Sequence, residues 1–261
     1  MKYPKKSLGQ NFLIDKNIIN KIINVTNIYN KNVIEIGPGK GALTKQILSK
    51  KPKSLILIEK DSLLFDELKK KFQNNKKIKI LNKDILKLDL EKEIKQKSII
   101  YGNLPYNISS QILVKFIRLK KNSTKYSQLI FMFQKEMAER ITGKYKSSKY
   151  GRLAILSNYN LKIKQMFKVS PNCFFPKPKI ISTVLSFRPY KSNYNIKNVE
   201  NLEKITSIFF SSRRKMINKV VNKIFDKIII KKLFSASDLR LRPEELKPGM
   251  YYKITEFFEK I

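Results

Sequence analysis

The chain has 261 residues and a formal net charge of +36, with 42% hydrophobic residues, no histidine, no tryptophan and one cysteine, Cys173. This composition excludes Ser-His-Asp and Cys-His catalysis, imidazole metal sites, an internal disulfide and a cysteine-rich zinc site. What remains is chemistry that works by positioning, on a length sufficient for one large α/β domain and a smaller appendage.

No apolar run is long enough to span a bilayer, and Met1–Lys6 is too short and polar for a signal peptide, so a soluble, cytoplasmic protein is expected. A helix is expected over about Lys16–Asn24 with Asp15 as its N-cap. Val33–Ile36 then reads as a buried strand leading into Gly37-Pro38-Gly39-Lys40-Gly41, with a helix over Ala42–Leu48. Glycines let backbone approach a ligand closely, and the helix start offers free N–H groups. The Gly-x-Gly-x-Gly spacing differs from the Gly-x-Gly-x-x-Gly of dinucleotide sites, which makes pyrophosphate the less natural ligand. A second strand, Leu55–Ile58, ends in Glu59, and a carboxylate at that tip, one strand beyond the glycine loop, suits two ribose hydroxyls. A third, Ile78–Leu81, is followed by Asp84, placed to accept from an adenine amine; alone, Asp84 would read as an ordinary solvated loop acid.

The fourth strand runs through Ser98-Ile99-Ile100-Tyr101 into Asn103-Leu104-Pro105-Tyr106. An exocyclic amine on a nucleobase is a poor nucleophile because its lone pair is delocalised into the ring. The Asn103 side-chain oxygen and the Leu104 carbonyl could each accept one amine hydrogen, favouring a pyramidal nitrogen whose lone pair points at an electrophile. Pro105 stiffens the turn and biases Leu104 away from helical geometry. Tyr106 adds a flat face for an extruded base. The same four residues also read as a plain Asn-x-Pro turn between a strand and a helix. Gly, Glu, Asp and Asn on four successive strand tips weigh against accident, since ligands of open α/β sheets lie at strand carboxyl ends.

Strands and helices alternate to about Phe133, giving a doubly wound sheet. A helical stretch over Leu153–Asn160 precedes two strands, Ile163–Val169 and Ile181–Phe187, whose short connection suggests an antiparallel edge. Residues Arg188–Asn193 read as a linker, and everything beyond is helical in pattern, with Pro243 and Pro248 breaking the later helices. Phe209, Phe210, Phe225, Phe234, Phe257 and Phe258 are its expected core. The net charge points to a nucleic-acid partner. Yet 48 of the 56 basic residues are lysine, a bias that an A+T-rich genome produces without selection for binding, so arginine placement carries more weight. Arg213, Arg214 and Lys215, with Lys219 and Lys223, form a basic cluster; on a helix, 215, 219 and 223 share a face. A solvated helix face is the ordinary reading of such a cluster.

Lys6-Ser7-Leu8-Gly9-Gln10-Asn11-Phe12-Leu13, Glu35-Ile36-Gly37-Pro38-Gly39 and Asn103-Leu104-Pro105-Tyr106-Asn107-Ile108-Ser109-Ser110 resemble the ribosomal RNA adenine N6,N6-dimethyltransferases. Gln134-Lys135-Glu136, Tyr150-Gly151-Arg152-Leu153 and Phe174-Phe175-Pro176-Lys177-Pro178-Lys179 extend the resemblance from the start of the chain to about Tyr190. The resemblance implies a class I S-adenosylmethionine-dependent methyltransferase, α/β and Rossmann-like over residues 1–188, with a small all-helical RNA-contacting domain over 194–261, which turns the basic cluster of Arg213, Arg214 and Lys215 into expected RNA contacts. It implies dimethylation of two adjacent adenines near the 3′ end of small-subunit (16S) rRNA, on an immature small ribosomal subunit, by a monomer that needs no metal. Cofactor contacts are implied at Asn11, Leu13, Gly37, Gly39, Glu59, Asp84 and Asn103, and Phe174 is implied to stack on the target adenine opposite Tyr106. Three rival readings share parts of this pattern: a macrolide-resistance methyltransferase acting on one adenine of large-subunit rRNA, a non-catalytic ribosome-assembly factor, and an NAD oxidoreductase. The intact acceptor set speaks against the second and the glycine spacing against the third. A cytosine-C5 methyltransferase needs a cysteine at the active turn, and Cys173 sits elsewhere.

Overall fold

Residues 10–119 and 125–260 are described in the computed structural model of the chain. The expectations for Met1–Lys6 and for the motif residues Lys6–Gly9 lie outside them. After β1 (Phe12–Leu13), α1 (Lys16–Ile23) starts at Asp15, whose carboxylate accepts the Ile18 N–H at 2.8 Å, the expected cap. There follow β2 (Asn32–Ile36), α2 (Ala42–Ser49), β3 (Ser54–Glu59), α3 (Ser62–Phe72), β4 (Ile78–Asn82), α4 (Leu90–Glu93), β5 (Ser98–Asn103), α5 (Ser109–Arg118), β6 (Tyr126–Gln134) and α6 (Lys135–Ile141). After α7 (Arg152–Asn160) come β7 (Leu161–Val169), β8 (Phe174–Phe175) and β9 (Ser182–Pro189).

Seven strands form one sheet in the order β4-β3-β2-β5-β6-β9-β7, while β1 and β8 make a separate antiparallel ribbon. The pairs from β4 to β6 are parallel and β9 is antiparallel to β6. Near-continuous apolar runs suit strands covered on both faces, and Ile34, Leu55, Leu57, Ile100 and Phe131 are buried accordingly. Parallel register aligns Ile36 with Ile58 and with Gly102, and Glu59 with Asn82, so four strand tips share one edge of the sheet. The last two strands are not a simple hairpin: β9 inserts between β6 and β7, and β8 lies in their connection. Burial explains the order, since six consecutive residues of β9, Ser182–Phe187, are buried and need neighbours on both sides, whereas β7 is mostly exposed or half-buried and suits an edge.

The chain divides into two compact units: the residues up to Ala138 together with Lys162–Pro189, and Glu139–Leu161 together with Tyr190 onward. Residues 139–161 therefore group with the helical part rather than, as expected from the sequence, with the sheet. The reason is α7, whose Ala154, Ile155 and Tyr159 join one core with Leu202, Phe209, Tyr251 and Tyr252. The Tyr252 hydroxyl donates to the Ile155 carbonyl and the Tyr150 hydroxyl to the Leu246 carbonyl, both at 2.9 Å. The remaining helices of this unit are α8 (Val199–Phe210), α9 (Asn218–Ile224), α10 (Lys227–Leu233) and α11 (Pro248–Phe258). Arg188 and Pro189 finish β9 instead of opening the linker. Pro243 and Pro248 begin a 3-10 turn and α11 rather than ending helices, because a first-turn position needs no N–H donor. Phe209, Phe225 and Phe234 are buried as expected and Phe210 and Phe258 pack beside them, but Phe257 is outside this core, below the ammonium groups of Lys232 and Lys260. Among the described residues no helix is long and apolar enough to cross a membrane.

Candidate functional site

Three glycines shape the loop after β2. Gly37, Gly39 and Gly41 hold φ at +64°, +56° and +76°, where a Cβ is strained, and a Cβ on Gly39 would come within 2.9 Å of the Phe12 ring. The Gly37 N–H donates to the Ile58 carbonyl (2.9 Å), tying the loop to the tip of β3. Glu59 closes it: one carboxylate oxygen accepts the Gly39 N–H (3.2 Å) and the other the Asp61 N–H (2.9 Å). A carboxylate has about four lone-pair positions, so about two remain for a ligand. Burial pushes the Glu59 carboxyl above its ordinary range, and the N–H groups of Asp61 and Gly39 pull it back.

A cavity of about 520 Å³ opens beside this loop, lined by Asn11, Leu13, Gly37, Gly39, Glu59, Asp84, Asn103, Leu104 and Tyr106. One of the Asp84 oxygens lies 2.9 Å from Lys60 Nζ and the other accepts the Leu86 N–H at 2.9 Å. Burial alone would raise the Asp84 carboxyl; the Lys60 hydrogen bond and the Leu86 N–H outweigh it and hold the group below its usual value. The Asn103 amide nitrogen donates to the Asn11 carbonyl at 2.9 Å, which leaves its Oδ1 as the acceptor available to the cavity. The Leu104 side chain is only 2% exposed, and Gly102 makes room for it: a Cβ there would come within 2.5 Å of Leu104 Cδ2. Anchored by that side chain, the turn can offer a substrate only its backbone at Leu104. It is closed by Ile108 N–H to the Pro105 carbonyl (3.2 Å) and Ser109 Oγ to the Tyr106 carbonyl (3.1 Å). The Tyr106 hydroxyl sits 2.7 Å from Ser182 Oγ.

Phe174 is not brought to the cavity. Cross-strand partners share a face of a ribbon; Leu13 pairs with Phe174 and both turn into the core, where Phe174 is 3% exposed. Phe12 pairs with Phe175 on the opposite face; Phe12 lines the cavity and Phe175 is 51% exposed. Phe174 is thus buried in the core beside Leu13, which itself lines the cavity, while its own ring is not among the lining residues.

In the helical unit, the expected helix through the basic cluster begins only at Asn218, so Arg213, Arg214 and Lys215 lie in the preceding turn and Lys215 does not share a helix face with Lys219 and Lys223. The Arg213 guanidinium is already engaged: Nε is 2.5 Å from Glu244, and Nη2 donates to the Ser148 carbonyl at 3.1 Å. Arg214 and Lys215 are exposed. Among the described residues no group of three or more carboxylates and thiols is arranged to hold a metal.

Four further residues shape the site, and the sequence pattern assigns none of them a role. Phe12 stands beside Asn11 and Leu13; Gly102 interrupts a buried strand; Ser182 opens the last one. Glu35 is an acid in the middle of β2, 1% exposed and lining the cavity, with a carboxylate oxygen that accepts the Thr44 hydroxyl at 2.6 Å. Burial pushes its carboxyl up to about 8 against that hydrogen bond.

The chain matches the ribosomal RNA adenine dimethylase family over residues 1–260, so the likeness runs through the helical unit as well. A ribosomal RNA small subunit methyltransferase A from Pelagibacter ubique is 48% identical over 259 residues, 98% of this chain and 97% of that protein. Two solved structures share the fold. A dimethyladenosine transferase from Plasmodium falciparum is 24% identical with a TM-score of 0.80, covering 95% of this chain and 98% of that one. The 23S rRNA methyltransferase ErmE is 20% identical with a TM-score of 0.71, covering 95% and 99%.

Proposed function

This chain belongs to the ribosomal RNA adenine dimethylase family, and from that premise we propose that it transfers methyl groups from S-adenosylmethionine to N6 of two adjacent adenines near the 3′ end of small-subunit (16S) rRNA. The observation that carries this reading is the Asn103 amide, whose nitrogen is held by the Asn11 carbonyl so that its oxygen is left for the cavity. The cofactor supplies a methyl group on a positively charged sulfur, already activated for transfer. Glu59, with two backbone N–H groups fixing its carboxylate, suits a ribose diol, and Asp84 suits an adenine amine. Asn103 Oδ1 and the Leu104 carbonyl accept the two hydrogens of the target amine and draw its lone pair out of the ring. Tyr106 supplies the flat face on which the extruded base rests. The methylated nitrogen gives up its proton to water after the methyl arrives, so no histidine is required.

The small-subunit target is favoured over the large-subunit one because the 48%-identical relative is a small-subunit enzyme, whereas the likeness to ErmE is one of fold. We assign RNA contacts to Arg214 and Lys215 ahead of Arg213, whose guanidinium is engaged within the protein. An immature small subunit as substrate, a cytoplasmic location and a monomeric state complete the reading. The test is to incubate the protein with unmethylated small subunits and labelled cofactor, digest the rRNA and look for N6,N6-dimethyladenosine. Large subunits form the second arm: label there and not on small subunits makes it a macrolide-resistance-type enzyme, and binding without label in either arm makes it an assembly factor.

A further inference from the structure

We propose that Ser182 is a positioning residue for methyl transfer: its hydroxyl holds the Tyr106 ring at the place where it receives the target base. The inference rests on Tyr106 being the base platform.

Ser182 is the first residue of β9, 0% exposed and paired with Gln134 of β6, and the neighbouring Ile181 carbonyl accepts the Lys135 N–H at 2.9 Å. Its Cα is therefore fixed by the interior of the sheet. A serine side chain has one torsion between that Cα and its oxygen, which makes the oxygen a short, stiff reference point. Tyr106, 76 residues away in sequence, hangs on the turn after β5, and its hydroxyl lies 2.7 Å from that oxygen. A tyrosine held at both Cβ and its hydroxyl is fixed along its long axis and retains only rotation about it. With the turn anchored by the buried Leu104 side chain, the axis and centre of the ring are located from both ends, and the rotation that remains is the one a stacked base selects. A base stacked there is placed relative to Asn103 Oδ1 by a fixed ring, and methyl transfer depends steeply on that alignment.

The test compares Ser182→Ala, Ser182→Thr, Tyr106→Phe, Tyr106→Ala and the Ser182→Ala/Tyr106→Phe double variant for methylation of unmethylated small subunits, cofactor affinity by calorimetry and thermal stability. Ser182→Ala and Tyr106→Phe should each lower kcat about tenfold, the size of one ordinary hydrogen bond, with KM for the subunit within about threefold and cofactor affinity unchanged. The double variant should be no worse than either single one, because both remove the same bond. Ser182→Thr, which keeps the hydroxyl, should recover turnover. Wild-type turnover in Ser182→Ala, or losses that multiply in the double variant, overturns the inference. If Ser182→Ala melts below the assay temperature, Tyr106→Phe and Ser182→Thr decide it: full turnover in the first, or a folded second as impaired as Tyr106→Ala, counts against it. Tyr106→Ala separates the two layers. Full activity there removes the platform reading itself, whereas a severe loss there beside a silent Ser182→Ala removes only the role of Ser182.

Discussion

Replacing Glu59 by alanine isolates the cofactor half of the site. The Glu59 carboxylate spends two lone-pair positions on the Gly39 and Asp61 N–H groups, which fix its plane, and has about two left for a ribose diol. Hydrogen bonds to a charged acceptor contribute roughly 1.5–3 kcal/mol each. Water replaces part of that in the truncated site, so the expected loss in S-adenosylmethionine affinity is at least about tenfold, the equivalent of one such bond. Glu59→Gln keeps one acceptor oxygen and should fall between wild type and Glu59→Ala. Calorimetric titration with both S-adenosylmethionine and S-adenosylhomocysteine tells a local contact from a field effect. The two ligands share the ribose but only the first carries the sulfonium charge, so loss through the diol weakens both by the same factor. An unchanged affinity, or tight NAD binding by the wild type, sinks the assignment, and a loss confined to the charged ligand shows that Glu59 acts through charge.

Glu35 gives a pH signature. Its folded-state pKa of about 8 lies above the unfolded value near 4.5, so between those values the folded protein holds a proton that the unfolded chain has released, and stability falls as pH rises through that window. The full effect is on the order of 5 kcal/mol; Glu35→Gln, which mimics the protonated acid, should match wild type near pH 5 and be the more stable protein above pH 8 in denaturant titrations, and parallel pH profiles for the two would refute it. Asn103→Ala should lower turnover by about 10²-fold or more with little change in RNA affinity, and Asn103→Asp, which cannot donate to the Asn11 carbonyl, should be no better; single-turnover methylation within a factor of about two of wild type in either variant contradicts the lone-pair argument. Phe174→Ala should destabilise by about 3–5 kcal/mol as a core truncation and Phe175→Ala by less than about 1 kcal/mol; an equally stable Phe174→Ala in denaturant melts would return that ring to the surface as a base platform. Arg214→Ala with Lys215→Ala should flatten the log–log salt dependence of small-subunit binding by up to about two units, whereas Arg213→Ala should mainly loosen the helical unit; an unchanged salt slope in the first variant would leave the turn as a solvated face.

What the sequence makes legible here is what depends on local pattern. Leu55–Ile58 is an apolar run of strand length and Val33–Ile36 one interrupted only by Glu35, each ends in a glycine or an acid, and parallel strands place their ends together, so Gly37, Glu59, Asp84 and Asn103 converge once the alternation of strand and helix is recognised. What escapes depends on a partner far along the chain. Phe174 and Phe175 are adjacent in a very short strand, and the face each takes is settled only by the pairing of β8 with β1, which lies near the start of the chain. Arg213 reads as a free cation until Glu244 and the Ser148 carbonyl are beside it. The stretch 139–161 carries no mark that its apolar side belongs with Leu202 and Tyr251 rather than with the sheet. Pro243 and Pro248 are compatible with ending a helix or beginning one, and only the flanking turns decide.

The same long-range partners explain how a chain without histidine can be a catalyst. Three polar side chains at the cavity have part of their hydrogen-bonding capacity committed to a fixed protein group and part left over: Glu59 to two backbone N–H groups, Asp84 to Lys60 and the Leu86 N–H, Asn103 to the Asn11 carbonyl. The committed part fixes direction. The uncommitted part is therefore aimed before any ligand arrives, and the reorganisation that water would undergo around a developing charge has already been completed by folding. An acid–base catalyst needs a group that changes protonation during turnover, and none of these does. Activity limited by alignment should therefore respond first to the loss of a committed bond, which frees a side chain to turn; near neutrality the Asp84 carboxylate, held below its usual range, and the Asn103 amide keep their state, and the pH dependence that remains comes from Glu35, whose carboxyl at the cavity wall is pushed up to about 8.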